Sequence, residues 1–118
     1  MSNPAVVIRN VLSNNIIPLY NDEIIIEYEE VLSRSKFNFP ADVVSKFISN
    51  IKVLGKSVTR KKCVEEDFPD PDDIVFYEVR MSVDDSYLVT GNQKHFPVKP
   101  FIVTPAQMVE ILKERKLI

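Results

Sequence analysis

The chain has 118 residues, a formal net charge of −2 and 45% hydrophobic residues, enough for one packed domain over residues 1–118 and not for two. That charge argues against a protein that grips nucleic acid by bulk positive surface, and a total of two glycines, Gly55 and Gly91, excludes a Gly-rich phosphate loop. A lone Cys63 excludes an internal disulfide and a cysteine-based metal cage, and no apolar run approaches the ~20 residues of a membrane span.

In chain order, residues 3–13 ("NPAVVIRNVLS") predict a helix with Asn3 as cap, Pro4 at the first position and Val7, Val11 and Leu12 inward. The run "IIPLY" predicts a short buried strand interrupted by Pro18. "NDEIIIEYEEVLSR" predicts a helix opened by Asn21 or Asp22, with early acids that suit the helix dipole. "FPADVVSKFISNIKVLG" predicts a second amphipathic helix, with Val43, Val44, Phe47, Ile51 and Leu54 as its stripe and Gly55 closing it. A strand is expected over 57–65, then an acidic loop, a helix near 72–83, strands at "SYLVT" and "FIVT", and a last helix opened by Pro105. Strands separated by helices imply an α/β layer fold with a mainly parallel sheet, whose ligands sit beyond the carboxyl ends of the strands.

Two acidic features stand out. At 100° per residue, Ile24, Ile25, Tyr28, Val31 and Leu32 form one stripe and Glu27 falls on its edge. A carboxylate there is either a solvated helix flank or a group that needs a cation or donors. In "DPDD", Asp70, Asp72 and Asp73 belong to a run of six acids within residues 65–73. One of them suffices as a helix cap, and a divalent cation with oxygen ligands would relieve the mutual repulsion of the rest. His95 has neither a second histidine nor a cysteine beside it, so a turn residue hydrogen-bonded to a nearby acid is expected rather than a zinc ligand. The run Arg60-Lys61-Lys62 reads as a solvated face that can meet phosphates.

Taken in series, "IIPLYNDEIIIEYEEVLSRSKFNF", "DPDDIVFYEV", "YLVTGNQKHFP" and "FIVTPAQMVEIL" resemble PIN-domain proteins, and within them the branch of toxin components of toxin–antitoxin systems. The resemblance covers nearly the whole chain. It implies a three-layer α/β/α sandwich with a mainly parallel sheet, and metal-dependent RNA cleavage with Mg²⁺ or Mn²⁺ held by acidic residues. Carried over by position, it assigns metal ligation to Glu27, Asp73 and Asp72, and a further catalytic position to Asn92, where many relatives have aspartate.

The chain departs from the family at its start, because "MSNPAVVIRNVL" matches the segment that follows the family's first strand and its Asp-Thr-Asn. The resemblance therefore implies a PIN-like domain lacking the first central strand, with weakened nuclease activity as written. The alternative is a non-catalytic interaction protein that self-associates or binds an antitoxin-like partner through exposed sheet edges. The expected partners are RNA, an antitoxin protein and further copies of the chain, not a membrane. The opening "MSNPAVVIRN" lacks the basic-then-apolar pattern of a secretory leader, so the expected compartment is the reducing cytoplasm.

Overall fold

A computed structural model describes residues 2–62 and 67–118 of the chain. Helix α1 spans Asn3–Leu12, and its cap lies one residue earlier than expected: Ser2 Oγ accepts the Ala5 amide at 3.4 Å, with Pro4 in the first turn. Leu12, expected inside, is 48% exposed, while the polar Asn10 is buried. Asn10 is satisfied there, since Nδ2 donates to the Val6 carbonyl at 2.8 Å and Oδ1 accepts from Asn15 at 2.9 Å. Its own carbonyl accepts the amides of Asn15 and Ile16, which turns the chain off the helix.

Strand β1 is only Leu19–Tyr20, shorter than the apolar run that contains it. Pro18 has no N–H to give a ladder, and its carbonyl accepts the Lys56 amide at 2.9 Å. Helix α2, Asp22–Leu32, is capped by Asn21, whose Oδ1 accepts the Ile24 amide at 2.9 Å. Helix α3, Ala41–Leu54, buries Val44, Ile48 and Ile51. Val43 is half exposed, because the buried face is centred on 44, 48 and 51 and leaves 43 off its edge.

Gly55 follows α3 with an extended backbone (φ −96°), not the left-handed cap expected of a helix-closing glycine. Its need is space: a Cβ there would lie 2.5 Å from the Pro18 carbonyl oxygen and 2.6 Å from that of Ile51. Gly55 thus lets the chain cross beside Pro18 and enter β2, Lys56–Ser57. The strand expected over 57–65 extends partly into residues 63–66, which lie outside the described residues.

A 3₁₀ turn over Pro71–Asp73, fixed by the Asp72 amide donating to Asp70 Oδ1 at 2.9 Å, leads into α4, Ile74–Met81. Strand β3, Leu88–Val89, is followed by a second 3₁₀ turn over Gln93–His95. Strand β4, Ile102–Val103, enters α5, Pro105–Glu114, through a reciprocal cap in which Thr104 Oγ1 accepts the Gln107 amide and Gln107 Oε1 accepts the Thr104 amide.

The architecture is α/β and both strand pairings are parallel: β1 with β2, and β3 with β4. Among the described residues they form two separate two-stranded pieces, not one sheet, and helix α4 contacts both β1 and β3. Four of its eight residues are buried (Val75, Tyr77, Glu78 and Val79). Among the described residues, core side chains fall into four clusters joined by shared residues: Tyr20 and Tyr28 link the first to the second, Phe76 the second to the third, and Ile16 the first to the fourth. The radius of gyration, 14.3 Å, slightly exceeds the roughly 13.5 Å of a tightly packed chain of this length. No described helix is long and apolar enough to cross a membrane.

Candidate functional site

A cleft of about 230 Å³ opens where α2, the segment after β2 and the turn before α4 meet, and it is lined by Glu23, Glu27, Arg60, Pro71, Asp72 and Val75. Glu23 and Glu27 are four residues apart on α2, so they share a face. The Asn21 cap fixes where that helix starts, and burial of Ile24 and Ile25 fixes its rotation. Glu27 is consequently half-buried at the stripe edge, whereas Glu29 and Glu30 are exposed.

Electrostatics mark the same place. Burial raises the Glu27 carboxyl above its ordinary value, Glu30, Asp72 and Asp70 raise it further, and Arg34 partly opposes them. Burial likewise raises Asp73, reinforced by Asp70 and Asp72 and countered by His95. Two carboxyls on different elements thus both feel the aspartates of the "DPDD" turn. This is the repulsion a cation would relieve.

The expected site residues are only partly gathered. Glu27 and Asp72 face one cleft. Asp73 is turned toward His95, whose Nδ1 lies 3.3 Å from Asp73 Oδ2, in keeping with the supporting role expected of that histidine. Asn92 is exposed, does not line the cleft, and donates its backbone amide to Thr90 Oγ1 at 3.0 Å. Gly91 before it has open space around its Cα and no positive φ, so the turn does not require glycine. Among the described residues no group of three or more His, Cys, Asp or Glu side chains is drawn together tightly enough to hold a metal ion.

Glu23 and Glu78, in and under the cleft, were not expected from the sequence, and Arg60 was expected only within a basic run that can meet phosphates, without its carboxylate partners. Arg60 Nε donates to Glu78 Oε1 at 2.6 Å, and Nη1 donates to Glu23 Oε2 at 2.6 Å. The Glu78 side chain is 3% exposed, a carboxylate inside the protein that requires a partner. Burial works against the Arg60 charge, but the hydrogen bonds to Glu78 and Glu23 outweigh it and raise its pKa. One signal existed: Glu78 is an acid within the otherwise apolar "IVFYEV", and its partner had to be a cation from elsewhere.

A family model described as PIN domain matches residues 1–94. No curated protein and no solved structure matches the chain.

Proposed function

The chain belongs to the PIN-domain family, whose members are generally nucleases, and on that footing we propose that it is a divalent-metal-dependent endoribonuclease, the toxin of a toxin–antitoxin pair. The observation that supports this reading is the cleft itself, where Glu27 and Asp72 stand on separate elements together with a cation, Arg60. The donor set fits a hydrated Mg²⁺ or Mn²⁺ and does not fit an all-protein cage. Mg²⁺ keeps several waters and binds through one or two carboxylates plus substrate phosphates; of the three carboxylates lining the cleft, Glu23 is held by Arg60, which leaves Glu27 and Asp72 for the ion.

Glu27 and Asp72 would hold the cation, with Asp73 beside them and Asn92 a further candidate by family position alone. When bound, the ion supplies Lewis acidity toward a phosphodiester and an activated water. The chain's own contribution is placement: the Asn21 cap and the Ile24–Ile25 contacts orient Glu27, and the Asp70 turn orients Asp72. The His95 contact restrains Asp73. The test is Mn²⁺-dependent cleavage of single-stranded RNA. Glu27→Gln and Asp72→Asn should each abolish cleavage while leaving the circular dichroism spectrum unchanged, and cleavage that survives in both variants overturns the reading.

A second reading rests on the divided sheet. Leu88 and Thr90 donate their amides to the Phe101 and Val103 carbonyls, and Lys56 and Val58 donate theirs to the Pro18 and Tyr20 carbonyls. By the alternation of a strand, the backbone groups of Leu19 and Val89 therefore point away from their partner strands. Such edges accept a strand of another chain, as a non-catalytic protein that self-associates or binds an antitoxin-like partner would use them. Sedimentation or light scattering tests this: a clean monomer that neither dimerises nor captures an extended apolar peptide argues against it.

A further inference from the structure

Arg60 carries more structure than a solvated basic residue needs. Two residues before it, the Val58 amide is tied to β1, and one residue after it the Lys61 amide donates to Ser82 Oγ at 3.1 Å, beside the end of α4. Its Nε is held by Glu78, a carboxylate with a 3% exposed side chain. The guanidinium is therefore fixed from beneath, by a partner that cannot leave without a buried charge remaining. The other partner differs in kind: Glu23 has a 59% exposed side chain and contacts Nη1 from the solvent side of the cleft. An exposed ion pair of this sort is readily exchanged for another anion.

We infer that Arg60 is the phosphate-binding residue of the cleft, and that the Glu23 carboxylate occupies its solvent-facing edge until a phosphate of the substrate takes that place. The assignment rests on the nuclease reading and names the group that would hold the RNA backbone. A guanidinium has five N–H donors in a planar fork that matches phosphate oxygens, and the two bonds to glutamate leave donors for the cleft. Among the described residues Arg60 is the one cation lining it. The carboxylates of Glu27 and Asp72 repel a bare phosphate, so a fixed guanidinium, alongside a cation on the acids, supplies the attraction the backbone needs. Two carboxylates on one arginine also fit a purely structural network, and Glu23 separates the two roles. A structural network is indifferent to whether RNA is present, whereas an anion holding the phosphate position competes with it.

The experiment is fluorescence anisotropy of a labelled short single-stranded RNA, with Ca²⁺ in place of Mg²⁺, titrated across a salt series. Arg60→Gln should weaken binding roughly tenfold and reduce the slope of log K against log salt by about 0.7, one phosphate contact on a single strand. Arg60→Lys keeps a charge near Glu78 and guards against misfolding; it should weaken binding roughly threefold, because an ammonium cannot fork. Glu23→Gln should tighten binding. Wild-type affinity and slope in both Arg60 variants, or weaker binding in Glu23→Gln, overturns the assignment, as does a wild-type chain that binds no RNA. RNA cleavage that is unchanged in Arg60→Lys and Arg60→Gln overturns the role of Arg60 and leaves the nuclease reading intact. Arg60-dependent binding without any cleavage supports Arg60 and overturns the nuclease reading.

Discussion

The two glycines separate what a residue type permits from what its surroundings require. Gly55 is needed because the backbones of Pro18 and Ile51 leave no room for a Cβ, so Gly55→Ala should lower unfolding free energy by about 1–3 kcal/mol in urea titration. Gly91 has no such neighbour and no positive φ. Gly91→Ala should raise stability by about 0.5 kcal/mol, by restricting the unfolded chain. Sequence alone reads Gly55 as a helix-closing glycine, because a one-dimensional reading knows which residues allow a turn and not which backbones pass each other. Glu27 is the contrary case: its place at the stripe edge follows from helical spacing, and its half-buried carboxyl follows from that place.

At the scale of elements, helices were far more legible than strands. Helix α2 begins where Asn21 marks it, and α5 where Pro105 marks it, since helix starts are local chemistry within a few residues. The strands shrink to two residues each, because a strand exists only where another supplies hydrogen bonds, and among the described residues each has one partner. Hydrogen exchange should resolve this directly. The amides of Lys56, Val58, Leu88 and Thr90, each bonded to a carbonyl of the partner strand or of the residue flanking it, should exchange more slowly than those of Leu19 and Val89. Equal rates would show that the two edges are already covered. The same dependence on distant partners hid what holds Arg60: "TRKK" reads as a solvated run that can meet phosphates, and only the approach of α2 and α4 gives its arginine two carboxylates.

For the whole molecule, the acids around the cleft tie stability to pH and to cations. Glu27 and Asp73 have raised carboxyl values in the folded chain. Their contribution to stability is therefore fully present below the ordinary carboxylate values and is lost as pH rises through the raised ones. Once pH has passed those raised values, a divalent cation held by these acids should recover part of that loss. Thermal melts should show Mn²⁺ raising Tm at neutral pH and leaving it nearly unchanged in the acid range where the carboxyls are protonated. Glu27→Gln should reduce the neutral-pH gain. A Tm increase independent of pH would place the cation away from these acids.

By itself the sequence determined the alternation of helices with parallel strands, the rotation of α2 that sets Glu27 at a margin, and the acidic turn before α4. Each depends on spacing within one element or on a cap a few residues long. Only the tertiary structure decided which acids meet. It drew Glu23, Glu27 and Asp72 to one cleft, turned Asp73 to His95, left Asn92 outside, and set Arg60 between a buried and an exposed glutamate. It also divided the described strands into two pairs, both in contact with α4. Encounters between side chains far apart in the chain are fixed by how the apolar faces of separate elements pack together, and no local pattern encodes that.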